Sequence, residues 1–309
     1  SLPCRKCASC KFQYAKSWAI RCYHESTYYR FNCFLTLTFD QEFVDPNLEL
    51  NKNDFTLFMK RLRKFVNNYE YCEVKGIYVP RSVPLNKRSK EAKFAESVRY
   101  FHAGEYGSKG GRPHHHVCIF NFDFRDKKCT GMSNGNPLYK SPTLDWLWAL
   151  PRDKGKYPEV KKVRGYCFIG EVTYSSACYV AGYLAKKIDS RADEYKHQPE
   201  YVTMSRGGKG IDGTNLGGIG SRWIEKYYKD CYPSDRMHVK DGMYMKIPRF
   251  YDKKLDKLDP EEYGIVKERR IRLAKENPQG VNEVQYKRRT RKILTEKALA
   301  KKIRSYEDE

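Results

Sequence analysis

Polar and apolar residues alternate along residues 31–39, F-N-C-F-L-T-L-T-F. Cys33, Leu35, Leu37 and Phe39 fall on one side, and Phe34, Thr36 and Thr38 on the other. That two-residue period predicts a strand with its aliphatic side in a core and its threonine side turned to a ligand. Residues 99–105 and 114–120 read as two further strands, joined by a Gly-rich turn of the kind that closes a hairpin. Another strand is expected over 165–172. Helical spacing replaces the strand period in residues 11–24, where Phe12, Trp18, Ala19 and Cys22 share a side. It returns in a helix capped by Asn53 or Asp54 and running to about Asn67, with Phe55, Phe58, Leu62, Phe65 and Val66 inward. Residues 175–187, capped by Ser175 or Ser176, and 223–232 are also expected to be helical. Residues 80–93 and 123–142 read as loops, and 205–220 as a Gly-rich loop without the spacing of a nucleotide-binding P-loop. From about Asp252 the chain is strongly charged and reads as a solvated helical tail. Three parts are therefore expected: a Cys-rich segment and helix (1–30), a central domain (31–251) and the tail (252–309).

Composition narrows the partner. The 309 residues carry 60 Lys+Arg against 38 Asp+Glu, a formal net charge of +22, which repels itself unless it meets a polyanion such as nucleic acid. No run of apolar residues is long enough for a membrane span, and the start, S-L-P-C-R-K-C, has no apolar signal-peptide region. The 11 cysteines, odd in number and irregularly spaced, fit a reducing cytoplasm better than secretion. Cys4, Cys7 and Cys10 form C-x-x-C-x-x-C, and Cys22 is a possible fourth ligand. Structural Zn²⁺ and ordinary thiols both remain open for this cluster.

Two stretches carry chemistry. Side chains alternate along a strand, so His114 and His116 share a face while His115 takes the other. If the hairpin pairs right up to its turn, Glu105 lies opposite His114, and two imidazoles and a carboxylate converge as a divalent-metal site. In the second stretch, S-S-A-C-Y-V-A-G-Y-L-A-K-K, helical projection puts Tyr179, Tyr183 and Lys186 on one side, with Gly182 leaving room for a nucleic-acid backbone. Tyr228 and Tyr232 have the same spacing but run into Pro233 and have no lysine three residues on. Arg112, Lys187 and Arg206 are candidate DNA-binding cations. Together these residues suggest a metal-polarised phosphodiester attacked by a tyrosine hydroxyl.

The H-x-H strand and the two-tyrosine helix resemble the His-hydrophobic-His (HUH) rolling-circle replication endonucleases. More narrowly, F-L-T-L-T-F-D, G-E-Y-G…R-P-H-H-H, Y-V-A-G-Y-L-A-K-K, M-S-R-G and P-R-F-Y-D are similar in order to microvirus (gokushovirus-type) replication initiators, over about residues 3–252. The resemblance implies an α+β, RRM-like fold: an antiparallel sheet of about five strands flanked by helices, with the His strand central and a helical C-terminal extension. It implies Mg²⁺ or Mn²⁺ on Glu105, His114 and His116, and Tyr179 and Tyr183 as nucleophiles with Lys186 in support. The chain departs from the pattern at His115, where the family has a hydrophobic residue. The expected partner is single-stranded origin DNA in the cytoplasm of a bacterial host, with a host helicase and polymerase and no membrane. Two alternatives remain open: a non-catalytic single-strand binding or packaging protein, and a transposase or relaxase with the same chemistry.

Overall fold

The computed structural model describes residues 7–107, 111–133, 135–187, 198–208, 217–240, 242–276, 289–290 and 293–294; for 8, 9, 183–187, 240 and 243 it describes the backbone alone. Helix α1 (Ala8–Ser26) leads into strand β1 (Asn32–Leu37), helix α2 (Lys52–Asn68) and a hairpin of β2 (Tyr69–Cys72) and β3 (Ile77–Pro80). A short helix α3 (Lys90–Ala95) precedes the hairpin of β4 (Arg99–Tyr106) and β5 (Pro113–Phe120), then that of β6 (Lys128–Ser133) and β7 (Asn136–Lys140). Helix α4 (Pro142–Trp148), strand β8 (Cys167–Gly170), helix α5 (Tyr174–Lys187) and strand β9 (Tyr201–Met204) follow. The described chain continues through helix α6 (Ser221–Cys231), the hairpin of β10 (Arg236–Lys240) and β11 (Met243–Lys246), and helices α7 (Arg249–Leu258) and α8 (Pro260–Glu276).

Seven strands form one sheet in the order β6-β7-β8-β1-β5-β4-β9, and every pairing in it is antiparallel. The fold is thus the α+β architecture expected, with seven strands where about five were anticipated. The His strand β5 lies inside the sheet between β1 and β4. Alternation sorts its side chains between two layers. On one side Leu35, Leu37, Val117, Ile119 and Ile169 meet Phe55, Phe58 and Leu62 of α2 and Leu147 of α4. On the other, Phe101, Ala103, Cys118 and Phe120 meet Trp18, Ala19 and Cys22 of α1 and Ala177, Val180 and Ala181 of α5. Helix α2 buries the apolar side its periodicity predicts, but its cap is Asn51, whose side chain accepts from the Asn53 backbone at 2.9 Å.

The division at 251/252 does not hold, because it falls inside α7. Tyr251, Leu255 and Val266 are fully buried in a third core with Ile20 of α1, Ile224 of α6 and Met237 of β10. Arg270 of α8 ties that core down, with bonds of 2.5 Å to Asp235 and 3.0 Å to Asp252. The part of the tail that the structure describes, up to Glu276, is therefore integral to the fold. Leu255→Ala is expected to cost about 2–5 kcal/mol in urea unfolding; a detachable tail would lose nothing.

Zinc binding by the Cys-rich start also needs revision. Cys10 and Cys22 lie on the same unbroken helix, about 18 Å apart. Cys22 is sealed beside Cys118 on the sheet, where burial pushes its thiol well above the usual range. Cys22 cannot complete a site with Cys7 and Cys10, and Cys4 lies outside the described residues.

Two histidines are locked into the cores in neutral form. His24 stacks on Trp223, centroids 3.4 Å apart, with Nδ1 2.9 Å from the Tyr251 hydroxyl. His102 stacks on Phe55 at 3.5 Å and shares a 3.1 Å hydrogen bond with His115. Burial holds His24 down at about 3 and His102 well below the ordinary histidine value. The unfolded chain takes up these protons near pH 6.5 and the native chain does not. Their contribution is therefore complete above about pH 6.5 and is lost as pH falls toward the folded values, by about 1.4 kcal/mol per pH unit for each ring. Burial raises Asp145 to about 6, which offsets part of that loss. Urea unfolding at pH 7 and pH 5 should show the decline, and His24→Gln should flatten it.

Candidate metal and tyrosine site

The β4–β5 hairpin is paired to its last residues, Glu105 opposite His114 and Tyr106 opposite Pro113. Its turn is closed by the Gly107 amide donating to the Arg112 carbonyl at 2.9 Å, and Gly111 takes the positive φ of +63° that such a turn needs. Glu105, His114 and His116 consequently share the face turned to α5. His115 points the other way, into the core with Phe39, Phe55 and Trp148.

Glu105 Oε1 lies 2.6 Å from His114 Nε2 and 2.9 Å from His116 Nε2. One ligand atom from each residue falls within 4.8 Å of the others, and no other such group of three occurs among the described residues. Burial alone would raise the Glu105 carboxyl, but hydrogen bonds from the two imidazoles outweigh it and hold it below the ordinary value. Burial acts against His114 as a cation, and Glu105 outweighs that too, so its pKa is raised. Both rings are oriented from behind. The His114 Nδ1–H donates to the Arg112 carbonyl at 3.1 Å, and His116 Nδ1 lies 3.1 Å from the Thr36 hydroxyl. Each ring thus presents Nε2 to the same small volume, as a metal-binding histidine does. Two imidazole nitrogens and a carboxylate at this spacing fit a six-coordinate divalent ion with positions left for a substrate. Thr36→Val removes the partner of His116 Nδ1 at nearly constant volume. It is expected to weaken Mn²⁺ binding about 10- to 100-fold in calorimetry.

The tyrosine comes from α5. Thr173 caps this helix, in place of the serines expected: its hydroxyl accepts from the Ser176 amide at 3.1 Å, and Ser176 Oγ accepts from the Thr173 amide at 2.8 Å. Ala177, Val180 and Ala181 bury one side of α5. Tyr179, at the margin of that side, sets its hydroxyl 3.3 Å from His116 Nε2. Its ring stands edge-on to His116, centroids 4.8 Å apart, and to Phe34 at 6.3 Å. A Cβ added at Gly182 would meet nothing within 4 Å, so the helix surface is open there. The backbone of α5 continues through Tyr183, Lys186 and Lys187. Their side chains lie outside the described residues.

Of the other cations, Arg206 is exposed. The guanidinium of Arg112 is engaged with the Phe39 carbonyl at 3.1 Å and with Gln41 at 2.5 Å, bracing the strand end beside the site. The role of Thr36 behind His116 was missed as such, although the threonine side of 31–39 had pointed to a polar surface.

This strand-borne triad facing a helix-borne tyrosine lies within the segment that known proteins share. A family model for the replication-associated protein ORF2 matches residues 32–191, and the chain belongs to that family. Its kinship is with microvirus-type replication proteins. It is 33% identical over 265 residues to the replication-associated protein VP4 of Bdellovibrio phage phiMH2K, across 85% of this chain and 70% of that protein. Over 289 residues it is 28% identical to the replication-associated protein ORF2 of Spiroplasma virus 4, across 89% and 74% of the two chains. The replication-associated protein ORF4 of Chlamydia phage 1 is 24% identical over 284 residues, across 87% of this chain and 58% of that protein. No solved structure matches the chain. Among the described residues, no helix is long and apolar enough to cross a membrane.

Proposed function

We propose that the chain initiates rolling-circle replication by nicking and rejoining single-stranded DNA at a viral origin, through a tyrosine transesterification assisted by a divalent metal. The observation that carries this reading is the 3.3 Å separation between the Tyr179 hydroxyl and His116 Nε2, a nitrogen that is itself 2.9 Å from the Glu105 carboxylate. Glu105, His114 and His116 would hold Mg²⁺ or Mn²⁺. Such an ion, when bound, supplies Lewis acidity to a phosphoryl oxygen.

Within this reading Tyr179 is the nucleophile. Its phenol oxygen forms a bond to phosphorus and its proton passes to solvent; the bond from phosphorus to the 3′ oxygen breaks, and that oxygen leaves as a hydroxyl after taking up a proton. The product is a 5′-phosphotyrosine ester, so the bond energy needed for rejoining is retained. A free phenol has a pKa near 10, and Lys186, one turn beyond Tyr183 on α5, is the candidate to steady the developing charge. Extension of the freed 3′ end requires a helicase and a polymerase, which the bacterial host supplies.

The test is to incubate the protein with Mn²⁺ and a labelled origin-bearing strand, then denature. A protein-linked band that persists on a denaturing gel and disappears with EDTA is the expected result. Strand binding that ignores the chelator and leaves the DNA intact would instead make the chain a passive single-strand binding or packaging protein.

A further inference from the structure

The site sits at one end of a wider surface. Helices α1 and α5 cover the β5-β4-β9 side of the sheet, and the core beneath them takes only Phe34 from β1. On the same face the register continues outward from the site in a straight row. His116 of β5 is opposite Thr36 of β1, and Thr36 is opposite Phe168 of β8. Tyr139 pairs with Ile169, which brings Lys140 beside Phe168, and Lys140 is opposite Lys128 of β6. Four strand spacings separate His116 from Lys128, about 19 Å.

The composition of this row is unusual for an open sheet face. Tyr166, just before β8, is 63% exposed, and Phe168 is half-buried. Lys140 Nζ lies over both rings, 5.3 Å from the centroid of Tyr166 and 5.4 Å from that of Phe168. Lys128 and Lys140 face each other across the β6–β7 hairpin, an arrangement of like charges that costs stability unless an anion lies nearby. Aromatic faces beside ammonium groups are what a single strand recognises: its unstacked bases lie on the rings and its phosphates meet the cations.

We infer that this row, Phe34–Thr36–Phe168–Tyr166 with Lys140 and Lys128, is the platform on which single-stranded DNA is laid out as it leads to the tyrosine site. The inference rests on the proposed function for the identity of the strand, but binding is measured without cleavage. Bases stack on Tyr166 and Phe168, and Lys140 and Lys128 neutralise the phosphates between them. A duplex keeps its bases stacked on one another and cannot use these rings.

The experiment titrates the full chain into a fluorescein-labelled 20-nucleotide oligothymidylate in EDTA and reads anisotropy. Tyr166→Ala and Phe168→Ala should each weaken binding roughly 5- to 150-fold. Lys140→Ala should reduce the slope of log affinity against log salt by about 0.7. Tyr244→Ala removes a ring that is also 63% exposed but lies on the separate β10–β11 hairpin, and it should change nothing. Binding by Tyr166→Ala at the wild-type level overturns the platform. So does equal weakening by Tyr244→Ala, or an equal effect on a blunt duplex of the same length. Tyr166 is exposed, so its truncation decides the question even if Phe168→Ala lowers the melting temperature. The two readings fail separately. Wild-type nicking with Tyr166→Ala binding unchanged removes the platform alone, whereas weakened binding in a chain that never nicks removes the nuclease alone.

Discussion

Glu105→Gln is expected to reduce metal-dependent nicking by about 10³-fold or more while leaving the protein folded. The carboxylate is 2% exposed and its Oε1 lies within 2.9 Å of both imidazoles, so it is the one anionic member of the proposed ligand set. Lewis-acid polarisation of a phosphoryl oxygen contributes several kcal/mol to a barrier. A loss of about 4 kcal/mol corresponds to about 10³ in rate. Glutamine keeps the shape and an acceptor oxygen, and without the carboxylate the two rings revert to neutral forms, so no buried charge is left alone. His116→Ala is a less clean variant: it leaves Glu105 buried with one of its two imidazoles gone, and breaking a buried pair in this way costs about 3–5 kcal/mol of stability. Initial nicking rates at saturating Mn²⁺, together with Mn²⁺ calorimetry, check the prediction. A Glu105→Gln protein that nicks within tenfold of wild type and binds Mn²⁺ equally well would rule the carboxylate out as a ligand.

The site was legible because strand geometry is strict. A period of two leaves no choice about which histidines share a face, and a hairpin paired to its turn leaves no choice about what stands opposite His114. The observed register and the separation of His115 into the core follow from those two facts. Helix α5 was legible for a similar reason, although its first residue was not. The capping hydroxyl belongs to Thr173, two residues before the nearer of the serines expected to serve, and Ser176 acts as its reciprocal partner. Less was visible where the pattern is weak. Strand β6, K-C-T-G-M-S, is exposed along nearly its whole length at the sheet edge and shows no alternation, so 123–142 looked like a loop. Strand β9 has only four residues, too few for a period to emerge. In the tail, charge concealed the apolar residues that matter. Leu255 and Val266 stand among lysines, arginines and glutamates, and their burial depends on α6 and β10, which local sequence does not disclose.

The tyrosines should separate by position. Tyr179→Phe keeps the ring that packs edge-on to His116 and Phe34, and removes only the oxygen that lies 3.3 Å from His116 Nε2. Stability should therefore be unchanged while the covalent adduct with the origin strand falls about 10³-fold or more, since no other step supplies the attacking oxygen. Tyr183 follows one helical turn later, about 6 Å along the axis. A second phenol at that distance suits a second transfer made while the first ester still exists. Tyr183→Phe is thus expected to form the first adduct at close to the wild-type rate and then to fail in passing the strand on, so that adduct accumulates. The double variant should show none. Quantifying adduct and rejoined strand over time for the three proteins separates these outcomes. If Tyr179→Phe formed adduct normally and Tyr183→Phe did not, the phenol beside the triad would not be the one that opens the strand, and the order of the two transfers would be reversed.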